Sequence, residues 1–490
     1  MPERATATGR SEKSAEAVVA AVMGRRAERG RESSSMDLGK AEHQKPGRPG
    51  PGKGEGGAAV GALVGGEAAL AVDGDADSGR ALLARALGRD NMQRAWRRVR
   101  SNGGSAGVDG RTVAQTHAYL CEHWPRIREE LLAGCYRPSP VRRVAIPKAG
   151  GGERELGIPT VTDRLIQQAL LQVLQPLIDP TFSQHSYGFR PGRRAHDAIL
   201  QAQAYIEAGY RTVVDVDLEK FFDRVNHDVL MDRLAKRIAD RTVLRLIRRY
   251  LEAGMMANGV VIERHEGTPQ GGPLSPLLAN ILLDEVDREL ERRGHRFVRY
   301  ADDCNVYVRS QRAGERVLAA LRRLYGRLRL KLNEAKSAVA SVYERSFLGY
   351  AFGRGPEGAV RRKVSSKSLD RLKGRLRQLT RRTRGRSLET VVEEVRAYLL
   401  GWKGYFRLTQ QRRVLRDLDE WLRHRLRVYQ LVQWKRGRTV YREVVALGAN
   451  ARVAATIAAH TRSWWRNGAM LLNAVLTVRT FDRLGLPHLS

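Results

Sequence analysis

The chain has 490 residues, with 87 Lys/Arg against 53 Asp/Glu and a formal charge of +34. That length accommodates about two to four domains. A charge imbalance this large points to a polyanionic partner, nucleic acid foremost, because self-repulsion would otherwise oppose compaction. Only Cys121, Cys135 and Cys304 occur, with no C-x-x-C pair. A disulfide framework and a cysteine-ligated zinc site are therefore not expected, which suits a reducing cytoplasm. No run of about 18 apolar residues marks a membrane span, and Met1-Pro2-Glu3-Arg4 opens without the apolar core of a signal peptide.

Residues 1–80 carry 12 basic and 12 acidic side chains, with nine glycines between Gly47 and Gly66. Such a segment buries too little apolar surface to offset its ordering entropy, so a disordered extension is expected there. Order is expected from about Gly79. Leu82, Leu83, Leu87 and Trp96 share one helical face, followed by Arg97, Arg98 and Arg100. Asn102–Gly110 is a Gly-rich loop. It is either a flexible loop or a phosphate cradle, though it lacks the Gly-Lys-Ser/Thr ending of a Walker loop.

From 111 to 360, β-rich runs alternate with helical patterns, which indicates an α+β fold. Val141–Ile146 and Arg211–Asp217 read as strands, and 162–178 and 227–251 as amphipathic helices. Lys148, Arg154 and Arg164 surround the turn Ala149-Gly150-Gly151-Gly152. Basic side chains on a hairpin suit a triphosphate, and equally a solvated surface.

Three segments carry candidate chemistry. Asp217 ends a strand and precedes Lys220-Phe221-Phe222-Asp223. A carboxylate there is aimed at a fixed point, or caps the following helix. Glu266-Gly267-Thr268-Pro269-Gln270-Gly271-Gly272 is a dense turn opening into the apolar helix 274–280, and glycines let backbone approach a flat ligand closely. Tyr300-Ala301-Asp302-Asp303 sits at the tip of a β-hairpin between Arg296–Tyr300 and Cys304–Val308. Two adjacent carboxylates need a metal, a salt bridge or solvent, since a buried unpaired anion costs several kcal/mol. Three carboxylates converging on one spot form the hard oxygen set suited to two Mg²⁺ ions.

Beyond 366 the pattern is helical and basic, with Trp402, Trp421 and Trp434 as packing anchors. Residues 361–490 hold 30 basic against 9 acidic residues, a net +21. This part is the expected electrostatic footprint.

In this order the motifs resemble the reverse transcriptase/maturase encoded by bacterial group II introns. The resemblance rests on Leu156–Thr160, Tyr187–Gly192, Asp217 with Phe221–Asp223, Gly267–Asn280, Tyr300–Asp303, Leu332–Ser337 and Phe347–Gly349, and covers about residues 81–490. It implies a right-hand polymerase: fingers and palm over 81–360, with Asn102–Gly110 in an N-terminal template-holding segment. A helical thumb or maturase X domain occupies 361–435, and a short DNA-binding region 436–490. It implies that Asp217, Asp302 and Asp303 are the catalytic, Mg²⁺-holding carboxylates. Lys148, Arg154, Phe222 and Gln270 are implied to bind the dNTP, with Phe222 as the steric gate that excludes a 2′-hydroxyl. Arg190, Gly271, Lys336, Arg386, Trp402 and Lys435 are implied contacts to template, primer or intron RNA.

The function so implied is RNA-directed DNA synthesis, with binding and splicing of a group II intron RNA and support of its mobility. Its partners would be intron RNA, RNA template with DNA primer, a DNA target and dNTPs. The setting would be a cytoplasmic ribonucleoprotein, with no membrane partner and a dimer among the possible states. No Cys-rich endonuclease segment is seen before Ser490, so the endonuclease-lacking type is expected. The alternatives are a splicing-only maturase and a domesticated relative in phage defence, CRISPR adaptation or DNA repair.

Overall fold

A computed structural model describes residues 78–147, 153–257, 260–262, 266–268, 270–461 and 463–490. The extension expected over 1–80 falls almost wholly outside these residues, and so does Lys148. Helices α1 (Ser78–Ala86) and α2 (Arg89–Asn102) replace the single helix read from the leucine periodicity. The break is at Gly88, whose extended backbone (φ −62°, ψ 143°) sets the N-cap of α2. Asn102–Gly110 then leads into α3 (Val113–Leu132), which starts with a Thr112–Gln115 capping box.

Strands β1 (Val141–Pro147) and β2 (Glu153–Ile158) form an antiparallel hairpin. Helix α4 (Val161–Ile178) comes next, capped by Thr160 and buried along Leu165, Ile166, Ala169, Leu170, Val173 and Leu174. After it lie α5 (Ala195–Glu207), β3 (Thr212–Val216), α6 (His227–Ala235) and α7 (Arg241–Glu252). The helix expected over 227–251 is thus also split. Asp240 Oδ1 accepts from the backbone of Thr242 and Val243 and starts a new helix, while its Oδ2 accepts from Leu83 N at 3.1 Å.

Strand β4 (Met255–Ala257) runs parallel to β1 and pairs with β5 (Val260–Ile262), giving a first sheet of order β2-β1-β4-β5. Helix α8 (Ser275–Arg292) leads to the hairpin β6 (Arg296–Tyr300) and β7 (Asp303–Val308). Helix α9 (Gln311–Arg327) and β8 (Ala338–Ser341) complete a second, antiparallel sheet of order β6-β7-β3-β8. Strands β9 (Ser346–Phe347), β10 (Tyr350–Arg354) and β11 (Val360–Val364) form a third sheet.

The chain then turns helical: α10 (Ser366–Leu379), α11 (Leu388–Tyr405), α12 (Arg412–Trp434), α13 (Gly437–Ala446), α14 (Ala451–Ala459), α15 (Trp464–Met470) and α16 (Val478–Arg483). One apolar core lies between the second sheet and α4, α6, α7, α8 and α9. A second runs from α5 through the third sheet into α11 and α12, so the helical part is built onto the sheets. Among the described residues no helix is long and apolar enough to cross a membrane.

Candidate active site

The second sheet brings two of the three expected carboxylates into register. Val216 of β3 lies opposite Cys304 of β7, so the next step along each strand brings Asp217 abreast of Asp303. Tyr300 pairs with Asp303, closing a two-residue turn of Ala301 and Asp302. Ala301 has φ +59°, a conformation that costs a non-glycine residue on the order of 1–3 kcal/mol and persists only where its surroundings hold it.

Those surroundings are buried and polar. Arg299 is fully buried and donates to both oxygens of the fully buried Asp287 (Nε 2.8 and 2.9 Å, Nη2 2.5 Å). Its Nη1 donates to Ala301 O at 2.8 Å and to Asn280 Oδ1 at 2.9 Å. Asn280 Nδ2 in turn donates to Gly188 O at 2.9 Å. Gly188 lies against the turn so closely that an added Cβ would stand 2.2 Å from Ala301 N. Burial alone would lower the Arg299 guanidinium, but the facing Asp287 carboxylate outweighs it and holds Arg299 above its ordinary value.

Asp217 is anchored through its backbone. Its N–H donates to Ser337 Oγ at 3.1 Å, and its carbonyl accepts from Asn333 N at 2.8 Å. Lys336 Nζ lies 3.6 Å from Asp217 Oδ2, so this lysine faces the carboxylates, where a template contact was expected. Beneath them Asp215 is buried beside Arg345 (3.3 Å). Burial pushes its carboxyl up to about 7, with Arg345 opposing and Asp217 adding to the rise.

The Phe222 and Gly267 motifs meet through backbone. Thr268 N donates to Phe222 O and Gly267 N to Val225 O, both at 2.7 Å. The Phe222 ring is half-buried, edge-on to Phe221 at 5.0 Å. The next turn reaches the first sheet. Gly157 N donates to Gln270 O at 3.0 Å, and a Cβ on Gly271 would stand 2.6 Å from Gly157 O. Gly271, exposed and expected at the template, thus has no room for a side chain on the Gly157 side. Arg154 occupies β2 opposite Ile146. Arg164, grouped with the basic hairpin by sequence, instead donates to Gly103 O and Ser105 O and fastens the Gly-rich loop.

Four further expectations divide. Arg190, expected at nucleic acid, is buried, and its guanidinium donates to the Asp179 carboxylate and the carbonyls of Asp179, Ser183 and Ser186, bracing this part of the chain. Trp402, expected both as a packing anchor and at RNA, is also buried, 4.7 Å from the Phe406 ring, and packs the helical core. Arg386 is about half exposed and pairs with Glu394, while Lys435 stands at the end of α12.

The donor chemistry of Asp217, Asp302 and Asp303 suits a hard divalent cation. Among the described residues, however, no three His, Cys, Asp or Glu side chains stand close enough together to hold a metal ion. Sequence reasoning missed Asp287 as the brace of the site. A signal existed: Asn280, Asp284 and Asp287 recur at helical spacing on one face of a helix otherwise rich in leucine.

Residues 146–352 match the family described as reverse transcriptase (RNA-dependent DNA polymerase). Residues 369–446 match the group II intron maturase-specific domain. The chain is thus a reverse transcriptase-domain protein. A reverse transcriptase match is thus followed in the same chain by a group II intron maturase-specific match. Protein YkfC of Escherichia coli (strain K12) is 42% identical over 191 residues, 38% of this chain and 50% of that protein. Group II intron-encoded protein LtrA of Lactococcus lactis subsp. cremoris is 38% identical over 195 residues, 40% of this chain and 32% of that protein. The chain thus spans half the length or less of these curated relatives. A solved partial Cas6-RT-Cas1–Cas2 complex aligns with 50% of this chain and 42% of its own at 26% identity, with a TM-score of 0.34, too low to inform the fold.

Proposed function

We propose that this protein is an RNA-directed DNA polymerase that also binds and helps splice a group II intron RNA and supports its mobility. The polymerase reading is carried by one observation: β3 and β7 run in a register that brings Asp217 abreast of Asp303, beside a braced turn bearing Asp302. In this reading the first sheet belongs to the fingers, the second to the palm, and the helices from Ser366 onward to the thumb and a DNA-binding region.

Asp217, Asp302 and Asp303 are the residues that would hold Mg²⁺. When bound, the metal would favour the ionised primer 3′-hydroxyl and offset charge on the departing pyrophosphate. The residues of the chain do the rest. The braced turn fixes the carboxylates, so little reorganisation is needed during reaction. Lys148 and Arg154 pair with the triphosphate. The Phe222 ring packs against the sugar C2′, leaves no room for a 2′-hydroxyl and offers it no hydrogen bond, while Gln270 borders the sugar. Lys336 tempers the Asp217 charge. The basic helices hold template–primer and intron RNA by their phosphates.

The test is extension of a DNA primer on an RNA template by the purified protein with dNTPs and Mg²⁺. Asp302→Ala should slow extension on the order of a thousandfold, the loss of about 4 kcal/mol of transition-state stabilisation. Its melting temperature should hold, because Asp302 lies partly exposed at a turn. Extension by the variant at the parent rate would make the site assignment wrong. Splicing of an intron RNA should persist without dNTPs, which separates the two activities.

A further inference from the structure

Away from the carboxylates, the end of α10, the middle of α12 and the start of α15 enclose an open groove of about 620 Å³. Its lining includes Arg377, Arg381, Arg382, Arg425 and Arg466 together with Trp464 and Trp465, and no lining residue is acidic. Five guanidinium groups without a facing carboxylate repel one another. Arg425 shows this: burial lowers its guanidinium, and Arg377 and Arg382 lower it further. Such a groove is electrostatically incomplete until an anion enters it.

The aromatic side chains give the missing partner a second property. Trp464 and Trp465 are 39% and 51% exposed, which is unusual for the largest apolar side chain and leaves part of each ring accessible. They are held in place all the same. His424 Nε2 donates to Trp465 O at 2.8 Å, and its ring lies 3.9 Å from the Trp465 ring. The Arg382 guanidinium stands 5.0 Å from the Trp464 centroid. Arg425 Nε donates to Thr380 Oγ1 at 2.8 Å, fixing the groove floor. Two accessible indoles among arginines match a ligand that is flat and apolar on one side and polyanionic on the other.

We propose that this groove binds an unpaired nucleotide segment of single-stranded nucleic acid, its base stacked on Trp464 or Trp465 and its phosphates on Arg377, Arg381, Arg382 and Arg466. A duplex keeps its bases stacked on one another and presents only phosphates, so the groove discriminates single strands from duplex by the stack alone. The inference rests on the nucleic-acid reading above but assigns a site separate from the polymerase carboxylates.

The full-length protein tests it by fluorescence anisotropy with labelled oligo(rU), oligo(dT) and a blunt RNA duplex over a salt series. A 5-iodouridine-bearing oligomer, photo-crosslinked and mapped by mass spectrometry, reports the stack directly. Trp464→Ala/Trp465→Ala should weaken single-strand binding roughly tenfold or more, leave the salt slope unchanged and spare the duplex. Arg377→Ala/Arg382→Ala should lower the salt slope by about 2. Adducts should fall on Trp464 or Trp465, and Trp464→Phe/Trp465→Phe, which keeps a stacking face, should retain most of the affinity and excludes misfolding as the cause. A loss on oligo(rU) alone identifies RNA as the ligand, and a loss on both strands identifies either. Single-strand binding at parental affinity by the alanine variant, with adducts elsewhere, overturns the groove assignment. A parent chain that binds no nucleic acid at all overturns the broader functional reading instead.

Discussion

Replacing Asp287 by leucine is the sharpest test of how the carboxylate turn is held. Asp287 accepts from Nε and Nη2 of Arg299, and both side chains are fully buried. Asp287→Leu strands a guanidinium in a dry interior, and removing one partner of such a pair costs about 3–5 kcal/mol. At roughly 2–4 °C per kcal/mol for a unit of 150–250 residues, melting should fall by about 6–20 °C. The double variant Asp287→Leu/Arg299→Leu removes both charges and should recover most of that loss, because well-packed apolar replacements of buried pairs are often neutral. Primer extension should not recover with it, since Arg299 also donates to Ala301 O and to Asn280, and the turn loses its clamp. Calorimetry on the parent, single and double variants reads the first effect and extension kinetics the second. A single variant destabilised by less than about 1 kcal/mol, the scale of an exposed ion pair, would refute the reasoning.

Two more outcomes are expected of the same structure. Gly188→Ala would drive a Cβ to 2.2 Å from Ala301 N, backbone that cannot rotate away. We expect roughly 1–3 kcal/mol of destabilisation and a larger loss of extension than of stability, read by urea unfolding beside primer extension. Asp163 is fully buried, and burial raises its carboxyl pKa against hydrogen bonds from Thr160, Tyr136 and Ser139. The folded chain therefore holds this proton more tightly than the unfolded one. Its contribution to stability is complete below the ordinary carboxylate pKa and is lost as pH rises through the raised folded value. Asp163→Asn lacks that slope, so its stability relative to the parent should climb as pH is raised from about 4. Parallel urea midpoints for the two proteins across this range would show that Asp163 does not titrate as described.

The hairpin Arg296–Val308 was legible because valine and tyrosine alternate on either side of a two-residue polar tip. Asp217 was legible because it closes an apolar strand. The order of the motifs added the family, which residue chemistry alone left open. Other features were invisible for definite reasons. The leucine pattern runs unbroken across Gly88, and the apolar periodicity of 227–251 runs across Asp240, whose second partner is Leu83, 157 residues away. Arg190 lies in the Tyr187–Gly192 motif, whose resemblance implied a nucleic-acid contact. Its acceptors are mostly backbone carbonyls, which every residue type carries and no sequence pattern distinguishes. Trp402 illustrates the same ambiguity between a packing tryptophan and a binding one, and only its burial decides.

The chain upstream of residue 146 is wired into the body of the molecule. Asn91 Nδ2 donates to Ala169 O, Tyr136 OH donates to Asp163 Oδ1, and Gly107 lies so close to Thr160 that a Cβ would stand 2.6 Å from its Cα. The recognisable polymerase homology begins only at residue 146. A graft or truncation cut at that border would strip Asp163 of its Tyr136 and Ser139 donors and bare the α4 face that α2 covers. The portable unit, the piece that recombination or a protein engineer can move intact, therefore includes the helices Arg89–Asn102 and Val113–Leu132 upstream of that border.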